Sequence, residues 1–240
     1  MNILKDAIGV NKLSLKNSLK NLKFVPLLAF VIVFFNIIQI NLNMMVFSSP
    51  IGNNIIGRML LYIIEMMLLS ATMSMIYSII MYNRVTVETI TNGFTRYVGP
   101  LMNTFFYLYL ARLVVELTGL EIMLGYFGSL AIAFAFFVIE SPLIEEVYLD
   151  GQSGIPAISY AFKFIKQNIL PWLIVMISFS YIKYHLSIWV FVSIMHTQVV
   201  VRILVYSFLL AFIYLYKGHL FMILNNSSVR KRQFQGLFRG

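Results

Sequence analysis

Six long apolar stretches follow one another along this chain, and each is long enough to cross a bilayer as a helix, for which roughly 20 residues are needed. Of the 240 residues, 60% are hydrophobic and 11% are charged, whereas about a quarter of the residues in a soluble domain are charged. The sequence therefore predicts an all-α polytopic membrane protein with a single transmembrane domain at 1–240. The predicted spans are 24–47, 55–82, 100–117, 120–139, 169–195 and 199–224, between a cytoplasmic lead-in at 1–23 and a basic cytoplasmic tail at 225–240.

A basic residue, a proline and a long apolar run follow one another three times in the chain. Pro26, Pro100 and Pro171 each stand near the first turn of a predicted span, where proline is tolerated because the first N–H groups of a helix have no intrahelical acceptor. The segments at 83–99 and 155–167 are polar but carry apolar residues at helical spacing, as interfacial helices do. The sequence predicts six transmembrane helices built as three repeats of an interfacial helix plus a helical hairpin.

The fifth apolar stretch contains a polar interruption. Lys183, Tyr184 and His185 stand together inside the span predicted at 169–195. Polar residues at this depth are compatible with one long tilted helix and equally with a helix that is broken near the outer face of the membrane. The sequence leaves both alternatives open.

Lysine and arginine are concentrated in alternate connections between the spans, whereas the connections near Ser49, Thr118 and Thr197 contain almost none. The positive-inside rule therefore predicts a multi-pass protein of the cell membrane with both termini cytoplasmic. The net charge of +9 is expected to attract anionic membrane lipids and no nucleic acid, because no soluble basic face remains to bind a duplex. The flanking basic residues are Lys5, Lys12, Lys16, Lys20, Lys23, Arg84, Arg96, Lys163, Lys166, Arg230, Lys231, Arg232 and Arg239.

Several ionisable residues lie inside the predicted spans, where a central charge costs roughly 2.5 to 3.5 kcal/mol on insertion scales. Arg112 and Glu116 stand four residues apart, and we expect them to be able to pair on one helix face. The remaining balance is positive, which suits an anionic headgroup or a carboxylate bound between helices, chiefly through Glu65, Arg112 and Arg202. The alternative is that these side chains snorkel to the interface or form structural ion pairs. The full candidate set is Arg58, Glu65, Arg112, Glu116, Lys183, His185 and Arg202.

An acidic cluster is predicted in the connection after the fourth span, at Glu140, Glu145, Glu146 and Asp150. We expect these carboxylates to solvate the loop or cap the next helix, and Glu145, Glu146 and Asp150 are candidates for docking a cytoplasmic partner. Glu145 and Glu146 also resemble the start of the Glu-Glu-x-x-x-Arg signature of intramembrane prenyl-processing proteases. Asp150 stands in the place of the arginine, a reversal of charge, so no catalytic residue, metal or cofactor is predicted.

The segment IESPLIEEVYLDGQSGIPAISYAFKFIKQNILPWL, at 139–173, carries a second resemblance. It is similar to bacterial and archaeal six-helix membrane proteins related to the membrane domain of some glycerophosphodiester phosphodiesterases. The resemblance implies a six-helix architecture and adds no activity, because those families mostly have none assigned. The matching positions are Glu145, Gly151, Ala157, Ala161, where a serine would be expected, and Asn168.

These observations favour a protein without enzymatic activity of its own. The leading hypothesis is a transport-related or accessory membrane subunit that binds an anionic amphiphile or a peptide between its helices. The first alternative is a non-catalytic membrane scaffold that docks a cytoplasmic partner such as an ATPase or another membrane subunit. A less favoured alternative is an intramembrane metal-dependent protease.

Overall fold

The computed structural model describes residues 3–48, 55–192 and 197–227, and this part of the chain is helical with no strand. Six of its segments are long and apolar enough to cross a membrane. The all-α, multi-pass class predicted from the sequence is therefore confirmed. The helices are α1 (Ile3–Lys20), α2 (Val25–Ser48), α3 (Ile55–Tyr82), α4 (Val87–Arg96), α5 (Val98–Leu117), α6 (Leu120–Met123), α7 (Gly125–Leu149), α8 (Gly154–Val192) and α9 (Thr197–Asn226).

A short helix followed by a pair of long helices occurs three times in this order. Helix α1 precedes α2 and α3, and α4 precedes α5 and α7. In the third unit the short helix is fused to the long one, because α8 changes direction at Asn168, whose φ of −131° and ψ of 17° are not helical. Pro171 follows three residues later and cannot donate to the preceding turn, which accounts for the kink. Helix α8 then continues without interruption past Lys183 and His185 to Val192.

The boundaries of the fourth span differ from the prediction in two ways. Helix α7 begins at Gly125 and not at residue 120, because Gly119 and Gly125 have left-handed φ values of 64° and 67° and turn the chain around the short helix α6. Helix α7 also continues through Pro142 to Leu149, so the segment after 139 is helical and not a polar connection. Leu143 and Val147 are buried there, and this packing maintains the helix.

The long helices pack into one bundle, in which α2 contacts α3 and α9, α5 contacts α3, α7 and α8, α8 contacts α7 and α9, and α3 also contacts α9. Helix α1 lies across α8 and α9. We call the end that carries α1, α4 and residues 150–153 the basic side, and the opposite end, which carries residues 118–124, the far side.

Small residues allow α4 to pack closely against α3. The hydroxyl of Ser70 donates to the carbonyl of Gly93 at 2.6 Å and accepts from the backbone N–H of Tyr97 at 2.8 Å. A Cβ atom at Gly93 would lie 2.9 Å from Ser74 Cβ and 3.2 Å from Ala71 Cα. The two helices thus approach as closely as small-residue interfaces in membranes allow.

Candidate functional site

A polar cavity of about 340 Å³ lies between α2, α3, α8 and α9, near the middle of α2, α3 and α9 and in the last third of α8. Its apolar lining includes Phe35, Met66 and Leu186. Polar groups inside a membrane bundle are costly and mark binding sites or ion pathways more often than other positions do. The polar residues that line it are Asn36, Gln39, Glu65, Thr72, Lys183 and Tyr214.

Glu65 and Lys183 are the two charged residues of this cavity. Gln39 Nε2 donates to Glu65 Oε1 at 2.8 Å, so one carboxylate oxygen has a neutral partner from α2. Lys183 interacts electrostatically with Glu65, but among the described residues it forms no salt bridge. The cavity therefore presents a cation to any anionic group that enters it.

Aromatic rings lie on the basic side of the cavity. The rings of Tyr214, which lines the cavity, and Phe179 meet edge to face with their centroids 5.0 Å apart. Beyond them, Lys217 Nζ lies 4.7 Å from the Phe179 ring centroid and 5.8 Å from that of Trp172. Cation–π contacts of this kind orient the ammonium in a desolvated site.

Lys217 forms a buried ion pair with Glu145. The distance from Lys217 Nζ to Glu145 Oε2 is 2.8 Å, and the side chains are 2% and 0% exposed. Gly218 permits this packing, because a Cβ atom there would contact Ile80 and lie 2.7 Å from the hydroxyl of Tyr148. The pair joins α7 to α9 directly on the basic side of the cavity.

The acidic cluster is therefore not the solvated loop that the sequence predicts. Glu145 and Glu146 are both buried, because the extra turns of α7 carry them into the bundle, and neither side chain offers a surface to a docking partner. Glu145 Oε1 and Glu146 Oε2 have no hydrogen-bond partner in the described part of the chain. Only Asp150 is exposed, and it accepts a hydrogen bond from Asn225 Nδ2 at 3.2 Å.

Arg112 pairs with a residue other than the expected one. Its guanidinium forms an ion pair with Glu140 of α7, and not with Glu116, which is exposed near the far end of its own helix. Glu140 comes within reach because it lies inside α7 and not in a connection. Arg112 also lies over the Phe136 ring, 5.4 Å from its centroid.

An apolar cleft of about 810 Å³ ends at the Arg112–Glu140 ion pair. Its walls come from α3 and α5, and Met66 lines both this cleft and the central cavity. The cleft is lined by Met59, Tyr62, Met66, Met102, Asn103, Phe105, Phe106, Leu108, Tyr109, Arg112 and Glu140.

Arg202 and His185 do not line the central cavity. Arg202 lines an apolar groove of about 710 Å³ between α8 and α9. His185 packs against Tyr181 and stacks on Tyr206, two residues that line the same groove. Glu65, Arg112 and Arg202, expected to act on one ligand, therefore line three separate spaces. The side chain of Arg58 and the whole of His196 lie outside the described residues.

Three residues of this region are not among the candidates predicted from the sequence, namely Gln39, Tyr214 and Lys217. Lys217 offered the clearest signal, because it is a lysine inside the sixth apolar stretch and needs a compensating charge. Glu145 was not considered as that charge, because it was placed in a loop. The described residues contain no group of three or more His, Cys, Asp or Glu side chains that could hold a metal ion.

No family model, curated protein or solved structure matches this chain. The fold and the candidate site define an integral membrane protein of six apolar helices with a polar cavity inside the bundle. The similarity of residues 139–173 to the six-helix membrane families stays a prediction.

Proposed function

We propose that this chain is a transport-related or accessory membrane protein that binds an anionic group of an amphiphile or a peptide in the central cavity. The observation that carries the proposal is Lys183, which lines the cavity and has no salt bridge among the described residues. Lys217 and Arg112, by contrast, are each paired with a carboxylate. A cation that forms no salt bridge in the described part of the bundle can form one when an anionic ligand binds.

The position of the cavity supports a transport-related role. Substrate sites of membrane transporters lie near the middle of the bilayer between helices. Here the lining residues come from the middle of α2, α3 and α9 and from the last third of α8, and the Tyr214–Phe179 contact and the Lys217–Glu145 pair lie toward the basic side.

The neighbouring cleft suits the apolar part of an amphiphile. Its walls are rich in methionine and aromatic side chains, which adapt to acyl chains of varied shape. Met66 lines both spaces, and we propose that a rotation of this side chain joins the cleft to the cavity. An anionic headgroup at Lys183 could then have its tail in the cleft.

A peptide would use the same cavity differently. Its terminal carboxylate would pair with Lys183, and its amino group would lie against Glu65, whose second carboxylate oxygen is not used by Gln39. A peptide ligand and an amphiphile ligand can therefore be distinguished, because only the peptide requires Glu65. An anionic amphiphile requires Lys183 alone.

The test is the thermal unfolding midpoint, Tm, of the purified full chain with lysophosphatidylglycerol, lysophosphatidylcholine or trileucine. We expect lysophosphatidylglycerol or trileucine to raise the Tm of the wild type and to have no effect on Lys183→Gln. Loss of the trileucine shift alone in Glu65→Gln identifies a peptide site. Lys166→Gln is the charge-matched control, because Lys166 is exposed in the short part of α8. An equal shift in Lys183→Gln and wild type would contradict the proposal.

The proposal includes no enzymatic activity. Glu145, the first acid of the protease-like pair, is held by Lys217 and would have to leave that ion pair to act on a substrate. Scaffolding through Glu145 and Glu146 would need side chains on the surface, and both are buried. A proteolytic activity that disappears in Glu145→Gln would overturn the non-enzymatic assignment.

A further inference from the structure

Helix α1 presents three distinct faces along its length. The first is buried and polar, and it hydrogen-bonds to the spans beneath it. Asn11 Nδ2 donates to the carbonyl of Pro171 at 3.1 Å, and the hydroxyl of Ser14 donates to the carbonyl of Tyr216 at 2.8 Å. These bonds fix the rotation of α1 on α8 and α9, so the orientation of its other two faces is determined.

The second face is apolar and exposed; we call it the leucine face. It consists of Leu4, Ile8, Leu15 and Leu19, which are 55%, 58%, 44% and 53% exposed. The intervals of four, seven and four residues place these side chains in one stripe of the helix. Exposed apolar stripes of this extent on a helix mark a surface that is covered in the working protein.

The third face carries lysines; we call it the lysine face. Lys5, Lys12, Lys16 and Lys20 are all exposed and follow one another at intervals of seven, four and four residues. The two exposed faces lie next to each other, because Leu4 precedes Lys5, Leu15 precedes Lys16 and Leu19 precedes Lys20. Asp6, the acidic residue of this helix, is buried and does not lie on the lysine face.

We propose that α1 lies in the interfacial layer of the membrane on the basic side, with its leucine face against acyl chains and its lysine face binding anionic phospholipid headgroups. An apolar stripe beside a basic stripe is the arrangement of helices that lie flat in this layer. Lysines at such a surface interact with anionic lipids over about a Debye length.

The bilayer, and not an acidic protein, is the occupant that the surroundings of α1 indicate. Asn11 binds the backbone of α8 at Pro171, and the adjacent Leu170 and Leu173 expose 41% and 36% of their surface on that span. The helix that carries the leucine face therefore contacts a membrane-spanning helix that itself exposes apolar side chains next to the contact. This inference does not depend on the function proposed for the central cavity.

The experiment uses the absence of cysteine from the chain, which makes single-cysteine labels unambiguous. Nitroxide labels are placed at Leu15→Cys and at Lys16→Cys of the full chain, in vesicles of phosphatidylcholine and phosphatidylglycerol. We expect the label at position 15 to be more accessible to oxygen than to a water-soluble nickel reagent, and the label at position 16 to show the reverse. Preference for the nickel reagent at both positions would place α1 in water and overturn the proposal. Low accessibility to both reagents at position 15 would indicate a protein cover and overturn it equally.

The preference of the lysine face for anionic lipids is tested with two further variants. The association of spin-labelled phosphatidylglycerol relative to phosphatidylcholine is measured for the wild type and for the variant with Gln at positions 5, 12, 16 and 20. We expect the preference for phosphatidylglycerol to fall in the Gln variant, because four basic residues are removed, and to persist when the same positions carry Arg. An unchanged preference in the Gln variant would contradict the role of the lysine face.

Discussion

Lys217 Nζ lies 2.8 Å from Glu145 Oε2, and neither side chain reaches solvent. This ion pair joins the last turns of α7 to α9, between the central cavity and the basic side of the bundle. Phe179 and Trp172 surround the ammonium, so water does not screen the pair. In such a site each charge depends on the other for its compensation.

Replacing Lys217 with methionine should therefore destabilise the protein strongly. The variant leaves the Glu145 carboxylate buried without a counter-charge, which costs about 3–5 kcal/mol of unfolding free energy in comparable buried pairs. Removing both charges, as Glu145→Met with Lys217→Met, should recover most of the loss. Thermal unfolding in detergent measures the effect, with Lys163→Met as the exposed control. If the single and double variants lost the same stability, the ion pair would not be the cause.

The close approach of α4 to α3 predicts that alanine substitution affects stability differently at two glycines. Gly93→Ala places a Cβ atom 2.9 Å from Ser74 Cβ and 3.2 Å from the backbone of Ala71, so the helices must separate, at a cost of about 1–3 kcal/mol. Gly99→Ala meets no atom within 4 Å and should leave stability unchanged or raise it. The measurement is the Tm of each variant. Equal effects at both positions would argue against the tight α3–α4 contact.

The ion pair between Arg112 and Glu140 predicts a charge-reversal rescue. Arg112→Glu and Glu140→Arg each place two like charges together between α5 and α7 and should lower the Tm. The double reversal restores opposite charges and should recover a large part of the loss, by the logic of a double-mutant cycle. Additive losses in the double variant would show that the two side chains do not interact. Glu116→Arg is the control at the exposed far end of α5.

The predicted topology can be tested with single cysteines at two exposed threonines, because the native chain has none. Thr86 lies before α4 on the basic side, and Thr118 lies after α5 on the far side. With a cytoplasmic basic side, a membrane-impermeant maleimide should label position 118 in intact cells and position 86 only after permeabilisation. Labelling of position 86 in intact cells would reverse the orientation.

The helical class and the three units followed from patterns that are local in sequence. Apolar length predicts spans, and the prolines at 26, 100 and 171 predict where long helices begin, because both effects act within a few residues. The end of α7 was predicted wrongly for the complementary reason. Glu145 is typical of a loop residue until Lys217, more than 70 positions away, is placed beside it. The sequence around Glu145 does not indicate this distant partner.

The candidate site, like the fold, could be predicted from the sequence only in part. Glu65 and Lys183 were selected as intramembrane charges, and the structure places both at one cavity. Arg112 and Arg202 were selected by the same rule but line other spaces, because the rule detects charges inside spans and does not tell which helix face they occupy. The hydrogen bond from Gln39 to Glu65 could not be predicted, because it depends on how α2 packs against α3.

The central claim is that Lys183 binds an anionic group inside the cavity, and photolabelling tests it most directly. A diazirine-bearing lysophosphatidylglycerol is cross-linked to the purified full chain, and the labelled residues are mapped by mass spectrometry. We predict labels at cavity or cleft residues such as Met66, Leu69 and Leu186, lost in Lys183→Gln and retained in Lys183→Arg and Lys166→Gln. Labelling of these residues that is unchanged in Lys183→Gln, or labelling confined to the outer groove between α8 and α9, would contradict the account.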